Sequence, residues 1–162
     1  FHGAVLGMRD GIYPETSDDD LLHKTGLGQR AAGLPPLALF CVGHTHRPLV
    51  RALNGTLVVN AGSAGLPFDL DTRAAYTRLA WQRGAWHAEI VRVGYDLRVA
   101  EADYYQTGYL ENGGPLVELV LRELLTARSH LYTWAIAYQE PALRGEISVE
   151  ESVRRHFAEY GY

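Results

Sequence analysis

Two histidines two positions apart, His44 and His46, stand in the segment Gly43-His44-Thr45-His46-Arg47-Pro48. Imidazole binds transition metals through a neutral ring nitrogen and moves protons near neutral pH. On an extended chain, residues i and i+2 project to the same side. Both rings then reach one metal ion or two adjacent ones. An isolated His-x-His is more often a pair of exposed or hydrogen-bonded rings, so its setting matters more than its spacing. The run before it, Leu37 to Val42, is continuously apolar, as expected of a strand covered on both faces. Ligand sites of open α/β sheets lie just beyond such strand ends. Gly43 permits close backbone approach, and Pro48 stiffens the exit.

His2-Gly3 repeats the arrangement at lower strength, with Phe1 reading as the end of a strand. His2, His44 and His46 would then stand at the ends of two buried strands. Three nitrogen donors suit zinc, manganese, iron or nickel. A single ion held by all three remains an open arrangement beside a two-ion site. The other histidines, His23, His87, His130 and His156, fall on predicted helix or hairpin faces and read as surface or structural. Asp10, Asp69 and Asp71 are within reach in sequence, but turn and capping roles suit them better. Arg47 either meets a phosphate or covers the strand end.

The elements that must position these residues follow from local pattern. Pro14-Glu15-Thr16-Ser17 opens a helix, with Thr16 or Ser17 as N-cap. Asp18, Asp19 and Asp20 lie at its positive end, and it stops at Gly26. Leu34-Pro35-Pro36 is a break. Asn54-Gly55 predicts a hairpin between 49–53 and 56–60, followed by the loop Ala61-Gly62-Ser63-Ala64-Gly65. A second hairpin, 74–82 with 85–93, turns at Arg83-Gly84. Residues 96–106 read as a helix. Gly113-Gly114-Pro115 is the clearest linker. Beyond it, apolar spacing predicts one helix from Leu116 to about Tyr138. Ser148 and Glu151 form a capping box for a last helix to about Tyr160. The reading is therefore a mixed α/β (α+β) chain, with a mostly β body over 1–112 and a helical extension over 113–162.

Composition sets the outer limits. The chain has 162 residues, 47% apolar and 21% charged, with a net charge of −4. That is ordinary for a globular domain. The acidic balance, with no basic stripe, argues against long nucleic acid as a partner. A small phosphorylated ligand stays open, because bound cations reverse a local field. No apolar run approaches a membrane span, and no signal peptide is expected. The one cysteine, Cys41, reads as a small core residue. A reducing cytoplasm fits these features.

With these residues in view, the sequence resembles the bacterial small-phosphodiesterase branch of the calcineurin-like metallophosphoesterases. Their last metal motif, Gly-His-x-His, matches Gly43-His44-Thr45-His46, and the frequent Arg-Pro follows as Arg47-Pro48. Their lone His-Gly matches His2-Gly3. Their Asn-Pro-Gly-Ser-x-Gly loop stands as Asn60-Ala61-Gly62-Ser63-Ala64-Gly65, with Ala61 in place of proline. Pro14-Glu15-Thr16-Ser17-Asp18 is similar to a helix start seen between these motifs. The likeness covers about residues 1–110.

The resemblance implies part of a β-sandwich with flanking helices and a C-terminal helical extension. It implies a hydrolase of small phosphate esters, a phosphodiesterase or phosphatase, with two divalent ions. Manganese comes first, with iron, zinc or nickel as alternatives. His2 and His44 would hold one ion and His46 the other. Arg47 would face substrate, and Asn60 and Ser63 would shape a nearby loop by hydrogen bonds. The family's Asp-x-His, Gly-Asp and Gly-Asn-His motifs do not occur among the 162 residues. The implied chain therefore supplies only the histidine half of the site. Either a longer protein completes it, or the fold serves as a non-catalytic or regulatory module. No membrane is expected as partner, and a homo-oligomer is left open.

Overall fold

The computed structural model describes residues 2–29 and 34–160. Its chain divides into two units, Phe1–Asp69 with Arg73–Gly94, and Leu70–Thr72 with Tyr95–Tyr162. The first is a mixed α/β unit with two small sheets. Strands β1 (Leu39–Val42), β2 (Leu49–Leu53) and β3 (Thr56–Asn60) form a three-stranded sheet in the order β1-β3-β2. β3 runs parallel to β1, from Leu39 opposite Leu57 to Val42 opposite Asn60. It runs antiparallel to β2, from Leu53 opposite Thr56 to Leu49 opposite Asn60. Asn60 thus pairs with the last residue of β1 and the first of β2. That places it beneath the loop joining them, the histidine loop.

Both hairpins turn where the sequence indicates. Asn54 and Gly55 have φ of 47° and 81°, and Arg83 and Gly84 have 51° and 79°. Two successive positive φ values make the turn whose twist matches that of the strands. The second hairpin joins β4 (Ala74–Gln82) to β5 (Ala85–Val93), with Trp81 opposite Trp86. Its base is tied to the loop after β3 by the Ala75 N–H, which donates to the Ser63 carbonyl at 2.9 Å.

Helix α1 (Asp18–Lys24) begins at Ser17, whose side chain accepts from the Asp20 N–H at 3.2 Å. Asp18, Asp19 and Asp20 are exposed, a solvated helix start. The buried face of α1, Leu21, joins Ile12, Phe40, Val42, Leu49, Leu53 and Val58 in one core. Arg51 of β2 fastens the approach to α1 by donating to the carbonyls of Pro14 and Thr16, both at 2.5 Å. The expected burial of β1 on both faces does not hold. Phe40 and Val42 are buried, but Cys41 between them is exposed. Alternate residues of a strand face opposite ways, and this sheet buries only one side of β1. Cys41 is therefore not a core residue. The expected strand end at Phe1 lies outside the described residues, and His2 belongs to no strand.

The second unit is helical. α2 (Leu97–Gln106) is capped by Asp96, which accepts from the Arg98 N–H, and α3 (Tyr109–Asn112) follows. The single helix expected over 116–138 is broken. α4 (Leu116–Thr126) ends at Ala127, which takes a left-handed φ of 50°. The chain restarts as α5 (His130–Trp134), widens into a π-helical turn (Ala135–Gln139) and closes with α6 (Glu140–Leu143). The restart has a specific cause. Buried Glu123 of α4 accepts from the Leu131 N–H at 2.8 Å, satisfying a donor at the new N-terminus that Ser129 does not cap. α7 (Val149–Tyr160) begins at Ser148, whose hydroxyl accepts from the Glu151 N–H at 3.1 Å. Its Val153 packs with Leu119, Trp134 and Tyr138 in a second core. Among the described residues no helix is long and apolar enough to cross a membrane.

Candidate metal and phosphate site

The loop from Gly43 to Pro48 is not extended. His44 and His46 both have left-handed φ, 67° and 55°, a region sparsely occupied by residues with a Cβ. The Thr45 N–H donates to the Gly43 carbonyl at 2.8 Å, which closes a three-residue turn centred on His44. Such turns with positive central φ are rare and strained. The equal-side geometry expected of His44 and His46 is thereby lost, and their rings point to different neighbours.

Two buried side chains hold the loop in this shape. Asn60 is fully buried, and its Nδ2 donates to the Gly43 carbonyl and to Thr45 Oγ1, both at 2.8 Å. Asn60 Oδ1 accepts from the Gly62 N–H at 3.0 Å. Thr45, also buried, donates from Oγ1 to the Ile12 carbonyl at 3.2 Å. Strain of order 1–3 kcal/mol per residue persists only where such contacts over-determine it, and it gathers at functional sites.

His44 turns toward His2. Nδ1 of His44 lies 3.3 Å from Nε2 of His2, with ring centroids 5.1 Å apart and planes at 72°. The Gly43 N–H donates to the His2 carbonyl at 2.9 Å, which fixes the His2 backbone against the end of β1. His46 turns away. Its Nδ1 donates to the Leu66 carbonyl at 2.7 Å, and its ring stacks on Phe68 at 4.8 Å. A ring held by Nδ1–H to a carbonyl keeps its Nε2 lone pair available, as metal-binding histidines do. Two of the three histidines are therefore brought together and the third is set apart. Among the described residues, no group of three or more His, Cys, Asp or Glu is placed to hold a metal ion.

The other candidates are engaged elsewhere. Arg47 donates to both Glu15 oxygens, at 3.0 and 2.5 Å. Burial pushes the Glu15 carboxyl up, but its own backbone N–H and the Arg47 guanidinium outweigh that and hold it below its ordinary value. Asp10 pairs with Lys24 and Asp69 with Arg92. His23 and His87 are exposed, while His130 and His156 are buried in the helical unit. Thr45 is the residue that the sequence reading passed over. Its only signal was a small hydroxyl side chain between the two histidines, where an inward-facing donor and acceptor were needed.

Comparison with known proteins bears on much of the chain. Residues 20–83, which include His44 and His46, match the model of the calcineurin-like phosphoesterase superfamily domain. A metallophosphoesterase from Sphaerobacter thermophilus superposes with a TM-score of 0.51 at 22% identity, over 66% of this chain and 48% of that one. A hypothetical protein from Pyrococcus horikoshii superposes at 0.58 with 19% identity, over 78% of this chain and 44% of that one. The chain thus spans about half the length of these solved structures, and at such identities the likeness is one of fold. No curated protein matches. Over residues 20–83 the chain is similar to the calcineurin-like phosphoesterase superfamily domain.

Proposed function

We propose that this chain supplies the histidine half of a two-metal phosphoesterase site acting on a small phosphate ester, a phosphodiester or phosphomonoester. The observation that carries the reading is the His2–His44 contact of 3.3 Å at the end of β1, held by a strained loop that Asn60 and Thr45 pin. The donor set fits in part. His2 and His44 would hold one divalent ion, and His46, with Nδ1 committed to Leu66, would offer Nε2 to a second. The carboxylates of such a centre would come from outside the described residues. Manganese is the first expectation, with iron, zinc or nickel as alternatives. Ions bound there would lower the pKa of a water and stabilise charge on phosphoryl oxygens.

This chain's own residues would orient the donors and exclude rotation of the loop. Arg47 would meet a substrate phosphate only after leaving Glu15, because its guanidinium already satisfies that carboxylate. The test is manganese-stimulated hydrolysis of an aryl phosphodiester by the full-length protein. Activity should be lost in His44→Ala, and full activity in that variant overturns the reading. A non-catalytic module of the same fold is the second reading. It is favoured by the separation of His46 from the other two rings. Metal analysis decides between them, since a stoichiometric pair of ions excludes the module.

A further inference from the structure

The helical unit contains an imidazole with no obvious business in a core. His156 of α7 is fully buried, and neither ring nitrogen has a hydrogen-bond partner among the described residues. A neutral imidazole carries one donor and one acceptor, and buried polar groups are nearly always paired. Other rings surround it instead. His130 of α5 lies edge-on at 5.8 Å and 85°, Tyr160 at 4.6 Å and Phe157 at 6.0 Å. His130 is buried as well, with Nε2 3.0 Å from the Thr126 hydroxyl. Two imidazoles on two helices thus share one interior region. Charging one puts a cation there, and charging both sets like charges side by side.

The neighbouring charges do little to offset this. Arg122 of α4 and Arg128 in the following loop oppose a cation at His130, as does a charged His156. Glu159 of α7 favours a charge on His156, but its carboxylate also accepts from the Tyr138 hydroxyl at 2.6 Å, and Arg155 lies near that pair. Glu123, the buried carboxyl on α4, has its pKa pushed up to about 7 by burial, against the N–H groups of Leu131 and His130. It is neutral at the pH where the imidazoles would charge.

We infer that the His130–His156 pair is an acid-sensitive latch, which keeps α7 docked on α4 and α5 at neutral pH and releases it in mild acid. Burial pulls His130 down to about 4 and lowers His156 in the same direction. Both folded values lie below the ordinary 6.5. Their stabilising contribution is therefore complete above 6.5 and is lost as pH falls below it, through about 4 for His130. Glu123 acts in the opposite sense and adds stability in acid. Its effect is common to the wild type and a His156 variant, so it cancels between them.

A reporter is already present. The indole N–H of Trp134 on α5 donates to Ser152 Oγ on α7 at 2.9 Å, inside the interface. Its hydrogen exchange, read by NMR between pH 7.5 and 4.5 and corrected for intrinsic rate, follows release of α7. Protection should fall about tenfold or more further in the wild type than in His156→Phe. Equal loss in both chains overturns the latch. Should His156→Phe not fold, the imidazole of His156 is titrated directly in the wild type. It should stay neutral below pH 6.5 until Trp134 loses protection. Titration near 6.5 with Trp134 still protected overturns the inference.

Discussion

Replacing Glu123 by glutamine isolates the cost of a carboxyl buried in the helical core. Glu123 is 1% exposed, and burial lifts its pKa from 4.5 to about 7. Each pKa unit is worth roughly 1.4 kcal/mol, so ionising it in the folded chain costs about 3 kcal/mol more than in the unfolded chain. The folded value exceeds the unfolded one. The stability it contributes is therefore full below pH 4.5 and is lost as pH rises through about 7. Glu123→Gln keeps an oxygen that can accept from the Leu131 N–H but carries no charge. Its new amide donors need partners, an offset of about 1–3 kcal/mol that does not vary with pH. Urea unfolding of both chains at steps from pH 4 to 8.5 yields the difference in stability. That difference should shift in favour of Glu123→Gln by about 3 kcal/mol across the series. His130 and His156 are present in both chains, so their titration largely cancels. A difference that stays flat with pH refutes the argument that burial governs this carboxyl.

Two further outcomes follow from the first unit. Thr45→Val keeps shape but removes the hydroxyl that bridges Asn60 Nδ2 and the Ile12 carbonyl, leaving those two only their own long contact of 3.4 Å, so urea unfolding should show a loss of about 1–3 kcal/mol. Thr45→Ser should lose much less, and the His2 and His44 ring resonances should move in the valine variant only. Cys41 should react with N-ethylmaleimide in the native chain, because it is exposed. Burial of its thiol nonetheless raises its pKa, so the rate should climb with pH beyond that of a free cysteine's plateau. Reaction only after denaturation would restore Cys41 to the core.

How much of this was legible in the sequence depended on whether the local signal and the tertiary outcome agreed. Asn54-Gly55 and Arg83-Gly84 fixed both hairpins and their registers, since turn residues that accept positive φ leave little choice to the flanking strands. The Thr16-Ser17 pair and Ser148 likewise marked helix starts, with Ser17 the hydroxyl of the pair that caps. The break after α4 was hidden because Ala127, a strong helix former, takes the left-handed position usually given to glycine. Its cause, the Glu123 bond to Leu131, is a contact between helices and leaves no periodic trace. Cys41 was misread because an unbroken apolar run cannot say whether one or both faces of a strand are covered. At the candidate site, the histidines were visible by type and spacing, but the turn that separates their rings was not. It depends on Asn60, sixteen residues beyond His44 in the chain, reaching back beneath the loop.

The central proposal, that this histidine loop holds metal for phosphate-ester hydrolysis, is tested most directly by calorimetric titration of the full-length protein with manganese. The expected result is a stoichiometric pair of ions, with at least one lost in His44→Ala while urea unfolding shows the variant still folded. Identical binding in the wild type and His44→Ala, or no binding in either, would contradict it.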